Sequence, residues 1–444
     1  MKIKCGTFGR ALAAAGLILS LAAGRAAWAQ SSVDLHGSAI SQYVYRSTDS
    51  GTTDQDVYQY LSLDLNNDQS AVSGHFFGRL TDDIDGHQQP KEFYPFASIY
   101  DTEDNPLVAH LYYAYLDLNR VPGLKKIRLG RMGLYDTPVP LYLDGGLVET
   151  NEWKEAGYLS FGAYAGSPVH FFESDTQSDY SYGAWLQGRP CSGSRLRADY
   201  AHVHDPNLYG IENDDFVALS AWQQLGQYVR LHGFYSRLED DNRDLQLDGL
   251  YFNPKQDFMV SASYYQLLEA QTVQTIDFDS FYGAEFTYYP YRQYRLLASK
   301  GLGDHFFVEG GADLRALVDN SDRSNFNHDF IRYFGTVGMR DLPEGLTASL
   351  TGEVWDSNKQ FETIETYGGD VSYRQKRIKL SVGSYYSMFK YDYTLMEEQT
   401  RVQTYYARLR YSPVEAVALD AGYEFEEGDL EDFSTMKLGF RYSF

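Results

Sequence analysis

The chain has 444 residues, among them 39 Tyr, 26 Phe, 39 Gly and only 2 Cys, and a formal charge of −23 at pH 7. So acidic a balance excludes nucleic acid as a partner, because phosphates demand Lys and Arg. Mean hydropathy is −0.44, and after the first residues no apolar run approaches the ~20 residues a membrane-spanning helix needs.

At the N-terminus Lys2, Lys4 and Arg10 precede an apolar stretch, Ala11 to Ala23, and Ala27-Trp28-Ala29 has the small-x-small form of a cleavage site. A secretory signal peptide is expected over 1–29, with one mature domain over 30–444. Cleavage removes basic residues and no acidic ones, so the mature chain is more acidic still. It also removes Cys5, leaving Cys191 as the single thiol. No internal disulfide can form, no Cys-x-x-Cys-His exists for covalent haem, and no cofactor is expected. No linker, low-complexity block or change of composition divides the rest, which favours one extended architecture over several soluble domains.

From Val33 onward the dominant signal is period-two alternation. Leu61, Leu63 and Leu65 alternate with Tyr60, Ser62 and Asp64, and Leu346, Ala348, Leu350 and Val354 with Thr347, Ser349, Thr351 and Glu353. Ile378, Leu380 and Val382 alternate with Lys379, Ser381 and Gly383. Near the end Leu419, Ala421, Tyr423 and Phe425 oppose Asp420, Gly422, Glu424 and Glu426. Finally Met436, Leu438, Phe440, Tyr442 and Phe444 oppose Lys437, Gly439, Arg441 and Ser443. A soluble sandwich alternates too. Here, however, the segments run to about 10–14 residues, connections alternate short and long, and the last residue is an aromatic on the apolar face.

These features predict an all-β fold, a transmembrane antiparallel β-barrel without a plug domain. Short periplasmic turns are expected at 66–69, 119–123, 166–168, 189–194, 225–227, 253–256, 289–293, 341–345, 374–377 and 412–416. Both termini then fall on one side, and the scheme yields about 22 strands, with roughly 18 or 20 left open by boundary drift. The stretch Arg295 to Val318 splits at Gly301-Leu302-Gly303-Asp304, where parity allows one strand, so a bulge or bent strand is expected there.

The pattern across the mature chain, with Phe444 at its end, resembles Gram-negative outer-membrane porins, whose assembly machinery favours such a terminal residue. Ile127-Arg128-Leu129-Gly130-Arg131, followed by Asp144-Gly145-Gly146, is similar to a passage in several porin families, including the porin-like barrels that house multihaem cytochromes. The resemblance implies a cell outer-membrane location, surrounded by lipid and lipopolysaccharide. Single barrels and homo-oligomers share the local pattern, so both remain open.

A barrel this wide encloses an aqueous lumen unless something fills it. The connections 85–106 and 136–154, rich in Pro and aromatics, are candidates to fold inward, with ordinary surface loops as the alternative. Two readings follow. One is a channel for ions or small solutes, its selectivity set by lumen-lining Arg128, Arg230, Arg332, Arg408, Arg410 and Arg441 against Asp64, Asp248, Asp420 and Glu424. The bland alternative for each is plain solvation in a wet lumen. The other reading is a sheath around a separate multihaem cytochrome.

An enzyme is not expected. The best constellation, His202-x-His204-Asp205, places both histidines on the outward face by alternation from Leu196 and Ala198, where contact with lipopolysaccharide explains them. Asp82-Asp83-x-Asp85 could hold calcium weakly, and a solvated loop edge explains it as well. No catalytic, cofactor-binding or metal residue is assigned.

Overall fold

The structure is a computed structural model that describes residues 34–66, 71–85, 107–137, 140–169, 179–204, 213–274, 285–319, 321, 329–342, 345–357, 362–387, 390–392, 397–399, 402–428 and 431–444. The expected signal peptide, and 86–106 of the first long connection, lie outside the described residues.

The first strands are β1 (Asp34–Thr48), β2 (Thr53–Asn66), β3 (Val72–Asp83), β4 (Leu107–Leu118), β5 (Leu124–Leu134) and β6 (Leu141–Thr150). They are followed by β7 (Ser160–Pro168), β8 (Tyr180–Gly188), β9 (Ser194–His204), β10 (Asp214–Leu225), β11 (Val229–Leu238), β12 (Asp241–Asn253) and β13 (Phe258–Leu267). A small hairpin, β14 (Gln271–Gln274) with β15 (Glu285–Tyr288), precedes β16 (Tyr291–Leu302), β17 (Phe306–Leu317), β18 (Phe330–Leu342) and β19 (Leu346–Ser357). Next come β20 (Glu362–Gln375), β21 (Ile378–Ser387) and a second hairpin, β22 (Lys390–Asp392) with β23 (Glu397–Gln399). The chain ends with β24 (Val402–Val414), β25 (Val417–Glu427) and β26 (Phe433–Ser443).

Leaving out the two hairpins, each strand pairs antiparallel with its neighbours in sequence to form a 22-stranded sheet. The sheet closes because β26 pairs with β1, from Ser38↔Ser443 to Thr48↔Phe433. Closure leaves no free edge strand, which is what a sheet in hydrocarbon requires. Phe444 completes the seam: its N–H donates to the Gly37 carbonyl (3.0 Å) and its carbonyl accepts from the Gly37 N–H (2.9 Å).

One face carries the apolar residues of the alternation. Val337 and Leu350 are cross-strand partners, 58% and 69% exposed, as are Leu380 and Leu409. So much uncovered apolar surface is stable against lipid rather than water, and this face is the outer belt. The opposite face looks into the lumen.

Two of the expected turns lie elsewhere. Gly166-Ser167-Pro168 closes strand β7, and the turn before it is 151–159, containing a 3-10 turn at Lys154–Ala156. Likewise 289–293 leads into β16, and the short turn is 303–305, so Gly301 to Asp304 joins two full strands rather than forming a bulge. The stretch 136–154 is not one loop, because it contains β6. Its alternation is inverted: Leu143 and Leu147 point to the lumen side with Met132, while Asp144 lies on the other face. A reading that expects apolar residues outward therefore passes over this strand.

Candidate functional site

By register, all ten residues expected to line the lumen fall on the face opposite the apolar belt. Most are held in ion pairs across neighbouring strands. Arg128 grips Asp117 through two bonds of 2.8 Å and lies 3.8 Å over the Tyr115 ring. Asp64 meets His75 at 2.6 Å, and Asp248 meets His232 at 3.0 Å. Arg332 bridges Asp313 (3.0 Å) and Glu353 (2.5 Å). Arg408 pairs with Glu424 (2.7 Å) and Arg410 with Asp420 (2.6 Å). Arg230 donates to Gln224 (3.2 Å), and among the described residues no carboxylate lies within ion-pair range of Arg230 or Arg441. Placing these charges two by two on adjacent strands is the local rule that stabilises sheet faces.

A tighter element narrows the lumen. β5 pairs with β4 only from Ala114↔Arg131 to Leu118↔Ile127, yet its ladder with β6 continues to Leu134↔Leu141. The tip of the β5–β6 hairpin thus leaves β4 behind. Gly130 sits at the departure point with φ +122°, and a Cβ there would stand 2.3 Å from the Ala114 carbonyl oxygen. Only glycine fits that bend.

The freed tip turns across the lumen. Its Met132, Leu134 and Leu143 share one buried cluster with Trp185 of β8, Val203 of β9 and Phe216 of β10. The Arg197 Nη2 of β9 donates to the Asp136 carbonyl (2.6 Å) at the tip, and Arg197 also holds Asp199 at 2.6–2.9 Å. Four strand spacings separate β5 from β9 along the wall, roughly 19 Å. Contacts over that span require the chain to cross the inner side. The inward element is therefore a hairpin tip seated on an apolar inner wall, not a loop.

The back of this tip carries polar groups. Arg131 and Asp144, from the two passages singled out in the sequence, are register partners joined by bonds of 2.8 and 2.6 Å. Arg131 Nη1 also donates to the Leu111 carbonyl (3.1 Å), mooring the tip to β4 where the ladder has stopped. Beyond them the Tyr135 hydroxyl donates to that of Tyr142 at 2.6 Å. Trp153, an aromatic of the stretch 136–154 expected to fold inward, instead bridges Leu159 in the short turn at the other end.

Several lumen residues were not singled out from the sequence: Arg46 with Asp54 and Asp56, Arg79, Asp117, and the Arg197–Asp199 pair. Opposite charges two residues apart, as in Arg197-x-Asp199, are a readable signal. His202 and His204 lie on the outer face, where His202 meets Asp215 (2.9 Å) and stacks on Tyr182, with ring centroids 4.9 Å apart. Among the described residues no group of His, Cys, Asp and Glu is arranged to hold a metal.

A closed antiparallel sheet with an apolar outer belt defines a transmembrane β-barrel of the Gram-negative outer-membrane type. No protein-family profile and no curated protein matches the chain. Solved barrels of Pseudomonas aeruginosa are similar to it. For OccK1 (OpdK) the TM-score is 0.46 at 12% identity, covering 93% of this chain and 98% of that one. For OpdK crystallised with vanillate the values are 0.45, 12%, 93% and 98%. For OccK8 (OprE) they are 0.44, 10%, 93% and 98%. The barrel assignment stands on this chain's own strand pairing, not on these scores.

Proposed function

We propose that this protein is a passive outer-membrane channel for ions or small hydrophilic solutes, with permeation tuned by paired charges on its inner wall. The observation that carries the reading is the β5–β6 tip, seated across the lumen by the Arg197–Asp136 bond and the Met132–Trp185–Phe216 cluster. A built-in narrowing is what a solute channel needs to be selective, since charges bias ion passage only where the pore is tight. A sheath for a large protein occupant would gain nothing from it.

Purified protein in planar bilayers should show discrete open steps. Replacing both Arg408 and Arg410 by Glu should shift the reversal potential toward cation preference, because Glu424 and Asp420 would lose their partners. Folded protein without conductance would overturn the channel. A haem-staining chain that co-purifies at fixed stoichiometry would replace it with the sheath.

A further inference from the structure

The inner wall of β2–β4 breaks the rule that a barrel interior is polar. Tyr60 and Phe77 stack at 6.2 Å and 11°, and Tyr58 continues the row at 6.4 Å and 20°. In the other direction Phe77 meets Tyr113 (5.6 Å), Tyr113 meets Tyr115 (5.7 Å), and Tyr115 meets His75 (4.8 Å). Register puts these rings on the lumen face, beside Asp64 and Arg79. All are half-buried: each packs against the wall without being enclosed by it. The row follows the strand direction from Tyr58 to the level of Asp64, about 20 Å at the usual rise. Aromatic surface in a wet lumen is unfavourable unless something apolar passes over it.

Charge identifies the passenger. Both ends of the row are marked by paired groups: Arg46 with Asp54 and Asp56 at one, His75 with Asp64 and Arg128 with Asp117 at the other. An anionic solute would call for a row of guanidinium groups without carboxylates beside them. Arg46 and Arg128 each hold a carboxylate, and Arg79, between the two ends, lies 5.7 Å over the Tyr58 and Tyr112 rings with His110 3.3 Å away. Carboxylate and guanidinium side by side instead offer an acceptor and a donor together, which suits a hydroxyl, itself both donor and acceptor. The flat faces of a pyranose present C–H groups, which pack on the electron-rich face of an aromatic ring.

We propose that this row is a stacking track for sugar rings, and that the channel takes linear oligosaccharides as its preferred solutes. The proposal rests on the channel reading above. Successive rings hand the sugar along while the paired charges at either end exchange hydrogen bonds with its hydroxyls. Each contact is weak and repeated, the condition for entry without trapping.

The test is single-channel recording on the full-length protein, with a linear glucohexaose and, separately, benzoate as probes. Hexaose should interrupt the open current in resolvable, concentration-dependent events, and benzoate should not. Tyr60→Leu with Phe77→Leu should weaken the block, read as the dissociation constant from event frequency and duration in single open channels, at least about tenfold. Tyr60→Phe should retain the block, and Tyr115→Leu should weaken it independently from the other end. Folding of each variant is read from its heat-dependent shift in gel mobility. An open channel that hexaose never blocks, block unchanged in the Leu variants, or block by benzoate alone would each overturn the track while leaving the channel. Absence of conductance in folded wild-type protein would overturn the channel, and the track with it.

Discussion

Arg197 and Asp199 stand two residues apart on β9, side by side on one face, with side chains only 8% and 6% exposed. A buried charge is tolerable when its partner and further hydrogen bonds satisfy it, and here the Asp136 carbonyl completes the set. Arg197→Ala should therefore strand Asp199 and lower stability by about 3–5 kcal/mol, read from denaturant unfolding in detergent. Channel noise should rise in the same variant, because the hairpin tip loses its tether. Asp85, beyond the end of β3, shows a different effect of surroundings. Partial burial, then a hydrogen bond shared with Asp83, push its carboxyl up to about 7, although the residue as a whole remains open to solvent. A carboxyl that holds its proton more tightly when folded contributes most below its unfolded pKa, roughly 4, and that contribution fades as pH rises to about 7. The Gln55 amide, which donates to Asp85 Oδ1 at 3.0 Å, reports on this. Because that bond favours the ionised carboxylate, the exchange of this amide, corrected for intrinsic rates, should be faster at mildly acidic than at alkaline pH, and Asp85→Asn should flatten the dependence. The face that a charge such as Arg408 or Asp420 takes was legible in the alternation of single strands. The pairing of such charges was not, because Arg332 meets Asp313 and Glu353 only through cross-strand register.

Among the described elements, the β5–β6 hairpin is the one that leaves the wall and crosses the lumen side. Gly130 allows β5 to turn away from β4, and any side chain there meets both the left-hand-side φ and the Ala114 carbonyl. Gly130→Ala should cost about 1–3 kcal/mol of local strain. It should also raise conductance by pulling the tip back toward the wall, and a pore of unchanged conductance would count against the hairpin as the narrowing element. The same hairpin explains the main errors of sequence reading. Apolar residues on its lumen side reverse the usual outward pattern, so β6 resembles a loop with Asp144-Gly145-Gly146 at its centre. With β6 missing from the scheme, the turn that follows it is displaced to Gly166-Ser167-Pro168. The shift at 289–293 has another cause, since the β14–β15 hairpin places a turn-like Tyr-Pro-Tyr segment, Tyr289 to Tyr291, at the wrong end of a strand.

Across the whole molecule, stability depends on closure. Deleting β26 would leave β1 and β25 with open edges, each unpaired group costing several kcal/mol in hydrocarbon. The seam offers a finer test. The Phe444 ring lies where a Cβ on Gly37 would come within 2.7 Å of it. Gly37→Val should displace that ring, weaken the reciprocal Gly37–Phe444 bonds, and reduce the heat-shifted, folded fraction on gels. Normal assembly of that variant would show the seam to be dispensable. Alternating strands, a terminal aromatic on the apolar face and the apolar–polar division of most strands were determined by sequence alone, because period-two patterning is a local consequence of the pleat. Which charges pair, where the hairpin leaves the wall, and which rings line up into one row were decided only by the tertiary structure. Those features depend on register between strands and on contacts across the lumen, and neither leaves a periodic mark on the chain.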